Sequence, residues 1–191
     1  MPAQAKQALR RTYVQMRKTL SPAVQQAASE RVCARIATLH QYQVANHIAF
    51  YLAINGEINL ETLWQSADTQ GKHCYFPAIN NDHTVSFLPA TQNTAWCKKR
   101  FGILEPDVDA ALALMPEQLD IIFLPLVAFD DRGTRVGMGG GFYDRTLANH
   151  RALQLIGVAY EFQHQAFIQP DSWDVPLTAM ITQQTIYWSK P

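Results

Sequence analysis

Residues 123–147 read FLPLVAFDDRGTRVGMGGGFYDRTL, an apolar run followed by a loop that holds five of the nine glycines in the chain. The apolar residues 123–127 predict a short buried strand, and Asp130 and Gly133 supply a turn after it. A helix is expected to begin near Phe142. A strand and a helix joined by a glycine-rich loop indicate an α/β protein, and we expect the chemistry of the protein in this loop.

The glycines of this loop suit an anion. Gly137 and Gly139–Gly141 can adopt positive φ and have no Cβ, so their N–H groups can approach a phosphate closely. The helix that follows would direct the positive end of its dipole at the same place. A glycine-rich turn can also be a plain connector. However, Arg135, Asp144 and Arg145 surround these glycines, and a connector does not need both a cation for phosphate and a carboxylate for magnesium.

Two common phosphate-binding motifs do not fit the loop. No Lys-Ser or Lys-Thr pair follows the glycines, as the P-loop of nucleoside triphosphatases requires. Gly137, Gly139 and Gly141 do not have the GxGxxG spacing of dinucleotide-binding proteins, and no βαβ unit at the start of the chain contains them. The loop therefore belongs to neither class.

The rest of the chain alternates predicted helices with apolar strands. A helix is predicted from Pro22 to Leu39, because Ser21 can cap it and apolar residues recur at helical spacing. Another helix is predicted from Tyr143 to Arg151. The predicted strands are residues 46–53, 73–77, 85–88, 119–127, 153–159 and 179–181. This alternation predicts a Rossmann-like α/β fold, a three-layer α/β/α sandwich with a mostly parallel central sheet.

Composition and charge limit the class of protein. The chain has 191 residues, which predicts a single domain over residues 1–191 that buries about 70% of its unfolded surface. Its 16 basic and 16 acidic residues give no electrostatic case for nucleic acid, and no apolar run reaches the ~18 residues of a membrane span. The three widely spaced cysteines favour a reduced, cytoplasmic protein. We expect a monomer or weak oligomer with small-molecule ligands.

The first acidic residue is Glu30, so the N-terminal segment is basic. Such a start is compatible with a mitochondrial transit peptide, but serine is nearly absent and an ordinary helix boundary follows at residues 21–22. A solvated basic helix face is the usual explanation of this pattern. Lys6 and Arg10 are four residues apart, which puts both on one helix face where they could bind a polyphosphate together.

Five segments, taken in order, point to one family. The most specific is FDDRGTRVGMGGGFYDRTL at residues 129–147, and the others are KQALR at 6–10, YLAINGE at 51–57, FGILEP at 101–106 and WDVP at 173–176. Together they resemble the 5-formyltetrahydrofolate cyclo-ligase family, also called the methenyltetrahydrofolate synthetases. The resemblance runs from about residue 6 to about residue 182, which is nearly the whole chain.

The resemblance implies an enzyme, a ligase that forms a C–N bond. It would use ATP and Mg²⁺ to close 5-formyltetrahydrofolate to 5,10-methenyltetrahydrofolate, releasing ADP and phosphate. In the mechanism it implies, the formyl oxygen attacks the γ-phosphate, and N10 then attacks the activated carbon. An amide-like oxygen is a poor nucleophile and a poor leaving group. Phosphorylation would supply the activation, and the protein would mainly position groups and offset charge.

The resemblance also implies a role for individual residues. Those implied to contact ATP are Lys6, Arg10, Arg135, Gly137, Met138, Gly139, Gly140, Gly141, Phe142 and Tyr143. Those implied to contact the folate are Leu52, Glu57, Met138, Gly139, Gly140, Gly141 and Phe142. Arg135 and Asp144 are implied to be catalytic, and Asp144 and Asp174 are implied to hold Mg²⁺.

Two of these residues would not stand out without the resemblance. Glu57 lies just past a predicted strand, at the usual ligand edge of a parallel sheet, where a carboxylate can accept hydrogen bonds from a pterin ring. A lone acidic residue before a helix more often balances the helix dipole. Asp174 lies two residues before Pro176, which is a common turn element.

The chain departs from the family pattern at a few positions. Met138 and Gly140 stand where some relatives have basic residues, so phosphate charge would be balanced more by the loop backbone and by the three cationic side chains implied above. Phe142 stands where many members have tyrosine, which keeps the ring and removes a hydroxyl. Gln183 stands where an acidic residue is common.

Two other functions remain compatible with the residues alone. A sugar-phosphate or CoA-handling enzyme of similar layered architecture would also need a glycine-rich anion loop. It would leave Glu57 and the pair of Lys6 and Arg10 without a role. The second is a nucleotide- or folate-binding module without catalysis, which has little use for the two carboxylates Asp144 and Asp174.

Overall fold

The computed structural model describes residues 3–99, 102–148 and 153–190. Short 3₁₀ turns at Ala110–Leu112, Pro116–Gln118 and Glu161–Gln163 connect some of its elements. In chain order the helices and strands are α1 (Ala3–Thr19), α2 (Pro22–Ala37), α3 (His40–Val44), β1 (His47–Ala49), α4 (Glu61–Thr69), β2 (His73–Ile79), β3 (Val85–Pro89), β4 (Trp96–Lys98), β5 (Leu104–Pro106), β6 (Ile121–Pro125), β7 (Ala128–Phe129), β8 (Arg135–Val136), α5 (Phe142–Leu147), β9 (Gln154–Val158), β10 (Ala179–Ile181) and β11 (Ile186–Trp188).

The central sheet has seven strands in the order β11-β10-β9-β6-β1-β2-β3. Its inner strands are all parallel, and the edge strands β3 and β11 run antiparallel to their neighbours. Numbered along the chain, the parallel strands lie in the order 2-1-3-4-5, which is a doubly wound, Rossmann-like arrangement. The predicted α/β fold with a mostly parallel sheet is confirmed.

Apolar side chains cover both faces of the sheet. Ile121 and Phe123 of β6 belong to a core that includes residues of α2 and α4. Ile122 and Leu124 belong to a second core on the opposite face, together with Leu147 of α5. Successive residues of a strand point to opposite faces, and a strand that is apolar on both is typical of the middle of a parallel sheet. Helices therefore pack on both faces, as predicted for a three-layer sandwich.

The chain order of the parallel strands reverses between β1 and β6. After β1 the chain returns through α4 on one face of the sheet, whereas after β6 it returns through α5 on the other. Such a switch point leaves a crevice at the carboxyl ends of the two strands, where ligands of open α/β sheets bind. The glycine-rich loop follows β6 and lies at this end of the sheet.

Helix α1 packs over the β7–β8 hairpin. Leu9, Tyr13 and Val14 contact a small buried cluster that includes Val127 and Val136. This contact holds the basic N-terminal helix beside the glycine-rich loop, although about 120 residues of sequence separate them. In the described ranges, no helix combines the length and the apolar character needed to cross a bilayer.

The predicted elements are mostly found, with shorter bounds. Helix α2 begins at Pro22 as predicted, with Val24 N–H donating to Ser21 Oγ at 3.3 Å, and ends at Ala37. The strand predicted over 46–53 is only His47–Ala49, because the chain turns away through positive φ at Asn55 and Gly56.

Other differences concern elements that the sequence did not predict. Strands β4, β5, β7, β8 and β11 were all missed. The predicted end of the α5 helix at Arg151 lies outside the described residues, as does Phe101 of the FGILEP segment.

Two glycines with the same backbone conformation offer a test of the packing. Gly71 and Gly133 both have φ of +79°, but an added Cβ meets nothing at Gly71, whereas at Gly133 it would collide with the carbonyl oxygen of Leu177. We expect Gly71→Ala to cost about 1–2 kcal/mol of unfolding free energy from backbone strain alone. Gly133→Ala should cost roughly 2 kcal/mol more, because it also forces the backbone near Leu177 to move. Urea denaturation of both variants measures the difference, and equal losses would contradict this packing.

Candidate active site

Two cavities meet at the glycine-rich loop. The first, which we call the switch-point cavity, has a volume of about 520 Å³ and is bounded by the loops that follow β1 and β6. The second, the α5 cavity, has a volume of about 920 Å³ and is bounded by α5, the start of β9 and residues 172–178. Both cavities are lined by Gly139, Gly140, Gly141, Asp144, Trp173 and Asp174. This shared wall puts ligands in the two cavities in reach of one another.

The glycine-rich loop needs its glycines for two different reasons. Gly139 and Gly141 have φ of +99° and +67°, a conformation that other residues rarely adopt. Gly140 has an ordinary φ, but an added Cβ would lie 2.5 Å from the ring of Phe142. Gly137 has neither constraint, because its φ is not positive and the space beside it is open. The expectation that positive φ could occur at all four glycines is therefore met at two.

Lys6 reaches the site from α1 and contacts two carboxylates. Its Nζ lies 2.7 Å from Asp171 Oδ2 and 2.9 Å from Asp174 Oδ2. Burial of the ammonium group opposes its charge, but the hydrogen bonds to Asp171 and Asp174 outweigh this effect and raise the pKa of Lys6. Arg10, one turn further along, donates from Nε to the carbonyl of Gly137 at 2.8 Å. The two cations predicted to share a helix face thus both line the switch-point cavity.

Arg135 and Asp144 form a second ion pair at the shared wall. Arg135 Nη2 lies 2.6 Å from Asp144 Oδ1, and Arg135 Nη1 donates to the carbonyl of Val175. The N–H of Val175 donates to Asp144 Oδ1 at 3.3 Å. Asp144 therefore touches the residue next to Asp174, and the two carboxylates predicted to hold magnesium are brought to one place.

These carboxylates suit a hard cation that is also coordinated by oxygen atoms of a substrate. Within residues 3–99, 102–148 and 153–190, no three His, Cys, Asp or Glu side chains are grouped closely enough to hold a metal by themselves. Mg²⁺ is usually bound by one or two carboxylates, substrate phosphates and water. Asp144 and Asp174 could provide such a set of protein ligands.

Glu57 is a buried carboxylate at the floor of the switch-point cavity. Its Oε2 accepts a hydrogen bond from the N–H of Ile54 at 3.1 Å, and its Oε1 lies 3.6 Å from Arg17 Nη1. Burial raises the pKa of Glu57 to about 7, and the hydrogen bond from Ile54 and the charge of Arg17 oppose that rise. Glu57 therefore changes its charge near neutral pH.

Every residue that the sequence placed in the site lines the switch-point cavity. They are Lys6, Arg10, Leu52, Glu57, Arg135, Gly137, Met138, Gly139, Gly140, Gly141, Phe142, Tyr143, Asp144 and Asp174. They come from α1, the loop after β1, the glycine-rich loop, α5 and the 172–178 segment. Their convergence was predicted, whereas their individual roles remain predictions.

Four other residues belong to the same site and were not assigned to it. Asp171 is the second partner of Lys6, Trp173 lies between the two cavities, and Arg145 lines the α5 cavity and donates to the carbonyl of Gly140. Arg17 contacts Glu57. For two of these residues the sequence contained a signal. Arg145 directly follows Asp144, and Asp171 lies three positions before Asp174. Nothing in the local sequence distinguishes Arg17 from an exposed helix cation.

The raised pKa of Glu57 predicts a pH-dependent cost to folding. A carboxyl whose pKa rises from 4.5 to about 7 on folding destabilises the folded state increasingly as pH rises through that range. Relative to Glu57→Gln, the wild-type protein should lose roughly 3 kcal/mol of unfolding free energy between about pH 5 and about pH 8. Urea denaturation at both pH values measures this loss. Glu61→Gln, at an exposed glutamate of α4, is the matched control. If the stability difference between wild type and Glu57→Gln is the same at both pH values, Glu57 does not titrate with a raised pKa.

Comparison with known proteins places this chain in a family. The 5-formyltetrahydrofolate cyclo-ligase family model matches residues 2–183. The chain is 37% identical over 181 residues to the 5-formyltetrahydrofolate cyclo-ligase of Haemophilus influenzae, a match that covers 93% of this chain and 97% of that protein. It is 33% identical over 177 residues to the enzyme of the same name from Escherichia coli K12, covering 91% of this chain and 97% of that protein.

The solved structures agree. The NMR structure of Aquifex aeolicus 5,10-methenyltetrahydrofolate synthetase matches with a TM-score of 0.86 and 29% identity, over 97% of this chain and 93% of that one. The synthetase from Mycoplasma pneumoniae matches with a TM-score of 0.76 and 26% identity, over 93% of this chain and 98% of that one. The resemblance seen in the five sequence segments is confirmed, and this chain belongs to the 5-formyltetrahydrofolate cyclo-ligase family of enzymes.

Proposed function

We propose that this enzyme uses ATP and Mg²⁺ to cyclise 5-formyltetrahydrofolate to 5,10-methenyltetrahydrofolate, with release of ADP and phosphate. The observation that carries the proposal is the shared wall between the two cavities, where the glycine-rich loop meets two carboxylates, each paired with a cation that lines the switch-point cavity. A reaction that joins a phosphate donor to a flat heterocyclic substrate requires two adjacent pockets with anion-binding groups between them. Membership of the family supports the same reaction.

The folate fits the switch-point cavity better than the α5 cavity. Glu57 lies in its floor and can accept hydrogen bonds from the N–H groups of a pterin, while Leu52, Phe142 and Tyr143 supply apolar and aromatic contacts. The nucleotide would then enter through the α5 cavity, with its phosphates on the glycine-rich loop. In that arrangement the formyl group and the γ-phosphate meet at the shared wall.

The charged side chains at this wall are already paired with one another. Lys6 contacts Asp174, and Arg135 contacts Asp144, so two of the predicted phosphate ligands neutralise the two predicted metal ligands. We propose that Mg–ATP exchanges these partners, the phosphates taking the cations and the metal taking the carboxylates. The exchange keeps each buried charge balanced and avoids the cost of leaving any of them unpaired.

The protein groups then act on charge and position during phosphoryl transfer. Bound Mg²⁺ would neutralise charge on the transferring phosphoryl group. Arg135 and Lys6 would stabilise the same charge from the protein side, and the N–H groups of the glycine-rich loop would hold the phosphates in place. Glu57 would fix the pterin so that the formyl oxygen faces the γ-phosphate. Once the formyl oxygen is phosphorylated and ADP has left, N10 of the folate would attack the formyl carbon and lose its proton, and the formyl oxygen would leave as part of the phosphate.

The proposed reaction is tested by the absorbance of methenyltetrahydrofolate. Purified protein is mixed with 5-formyltetrahydrofolate, Mg²⁺ and ATP, with controls that lack each component in turn. We expect a rise in absorbance only when all three are present. No rise in the complete mixture, with ATP binding still seen by calorimetry, would instead favour a binding module without catalysis or a different acceptor.

Asp144→Asn tests the metal site. The substitution keeps the side-chain volume and removes one charged metal ligand, so we expect turnover to fall about 100-fold or more, because a bound metal contributes several kcal/mol to the transition state. Asp109→Asn is the matched control, since Asp109 is exposed and caps a 3₁₀ turn outside both cavities. It should keep wild-type turnover. Undiminished turnover of Asp144→Asn at saturating Mg²⁺ would remove Asp144 from the metal site.

A further inference from the structure

Arg17 is a charged side chain in the interior of the protein. Only 1% of the residue is exposed, and it is among the largest of the fully buried side chains. It lies near the end of α1, the helix that also carries Lys6 and Arg10. Burying a guanidinium group costs several kcal/mol unless its charge and its N–H groups are satisfied. Because of this cost, we expect buried Arg17 to have a role that an arginine on the surface does not have.

The contacts of Arg17 connect the two loops that form the switch-point cavity. Its Nη1 donates to the carbonyl of Leu126 at 3.1 Å, just after β6, and lies 3.6 Å from Glu57 Oε1, in the loop after β1. The backbone of Arg17 also packs against Gly56, where an added Cβ would lie 2.9 Å from the Arg17 carbonyl oxygen. Arg17 therefore lies directly under the loop that presents Glu57.

The hydrogen bonds of Arg17 do not account for its burial. Its Nε and Nη2 are buried without a hydrogen-bond partner among the described residues, and so is the hydroxyl of the nearby Tyr160. A guanidinium group that served only to fasten the fold would use more of its five N–H donors. Apart from the one hydrogen bond to Leu126, the feature of Arg17 that its surroundings use is its positive charge beside Glu57.

We propose that Arg17 is a positioning residue of the active site, which holds the carboxylate of Glu57 ionised and fixed in the cavity for the pterin ring. The proposal rests on the proposed function for the part that concerns the folate. Among the described residues, the titratable groups that interact electrostatically with Glu57 are Arg17 from α1, Tyr51 after β1, Tyr143 from α5 and Tyr160 after β9. The three tyrosines are neutral at physiological pH, and burial raises the pKa of each of them. Among these neighbours, Arg17 supplies the compensating charge.

The pKa of Glu57 gives the direction of the effect. Burial raises that pKa to about 7, and the charge of Arg17 opposes the rise. Removing the charge should raise the pKa further, so that Glu57 is protonated at neutral pH. Folate binding to the ionised carboxylate would then weaken at pH 7 and recover at higher pH.

The contact itself can be tested without any ligand. In protein labelled with ¹³C at the glutamate carboxyls, the Glu57 signal is identified by its absence in Glu57→Gln, and its titration is followed by NMR. We expect a midpoint near neutral pH in the wild-type protein and a rise of about one pH unit, a tenfold change in the proton affinity, in Arg17→Met. Arg17→Lys keeps the charge and should stay close to wild type. Identical midpoints in wild type and Arg17→Met would overturn the proposal.

The role in catalysis is tested by steady-state kinetics at several pH values. Arg17→Met should raise the KM for 5-formyltetrahydrofolate about fivefold at pH 7, with a smaller change in the KM for ATP, and the loss should diminish as pH rises. Adding Arg17→Met to Glu57→Gln should cause little further loss, because both changes remove the same interaction. A purely structural role predicts instead that melting temperature and all kinetic parameters change together, with no dependence on pH.

The controls keep the two proposals separate. If Arg17→Met does not fold, Arg17→Lys carries the test. Its pH midpoint should be retained while its folate KM rises, because the compact ammonium group on a flexible lysine stem is not held in the position of Nη1, the nitrogen that makes both contacts of Arg17. A lysine variant that matches wild type in both would overturn the positioning role. If the wild-type enzyme shows no cyclisation, the proposed function fails, and the carboxyl titration still decides whether Arg17 controls Glu57.

Discussion

Strands β1 and β6 are neighbours in the sheet, yet the chain leaves them toward opposite faces, through α4 and α5 respectively. The loops after these strands must therefore diverge, and a crevice opens between them. Glu57 follows β1, and the glycine-rich loop follows β6, so both reach this crevice as a direct result of the strand order. The rest of the site is added to it: α1 covers one side and residues 172–178 form the wall of the second cavity.

The active site holds several charged side chains that are largely buried. Pairing of opposite charges offsets the cost of burying them. Lys6, Arg135 and Arg17 each face a carboxylate from a different part of the chain. Pairs of this kind stabilise a fold only weakly, because desolvation offsets much of their attraction. Their concentration around the glycine-rich loop is better explained by the proposed reaction, in which a highly charged co-substrate would be bound and then released. On that proposal, the ion pairs are the resting arrangement of groups that would bind phosphate and metal.

The sequence predicted the parts of the fold and site that depend on local patterns. Buried strands such as β6 are apolar on both faces and appear as continuous apolar runs, and the glycine-rich loop is recognisable from its composition. The strands that were missed are two or three residues long in most cases, and pairing of such short strands depends on tertiary contacts rather than on propensity. The early end of β1 depends on positive φ at Asn55 and Gly56, which the preceding apolar run does not reveal.

The same distinction applies to the active site. Glu57 and Asp174 were found only through the family resemblance, because each has an ordinary local explanation. Arg17 lies in the basic N-terminal segment, for which a solvated helix face is the usual explanation, and its burial follows from the way α1 packs on the β7–β8 hairpin. The contact between Lys6 and Asp171 joins residues 165 positions apart. Interactions of this kind are set by the tertiary structure, and one sequence gives no periodicity from which to predict them.

The central claim is that two substrates occupy two cavities and react at their shared wall. The most direct test is a crystal structure with 5-formyltetrahydrofolate, Mg²⁺ and a non-hydrolysable ATP analogue. The account predicts the pterin beside Glu57 in the switch-point cavity, the phosphates on Gly139–Gly141, and the metal between Asp144 and Asp174. Phosphates bound away from the glycine-rich loop, or a pterin in the α5 cavity, would contradict it.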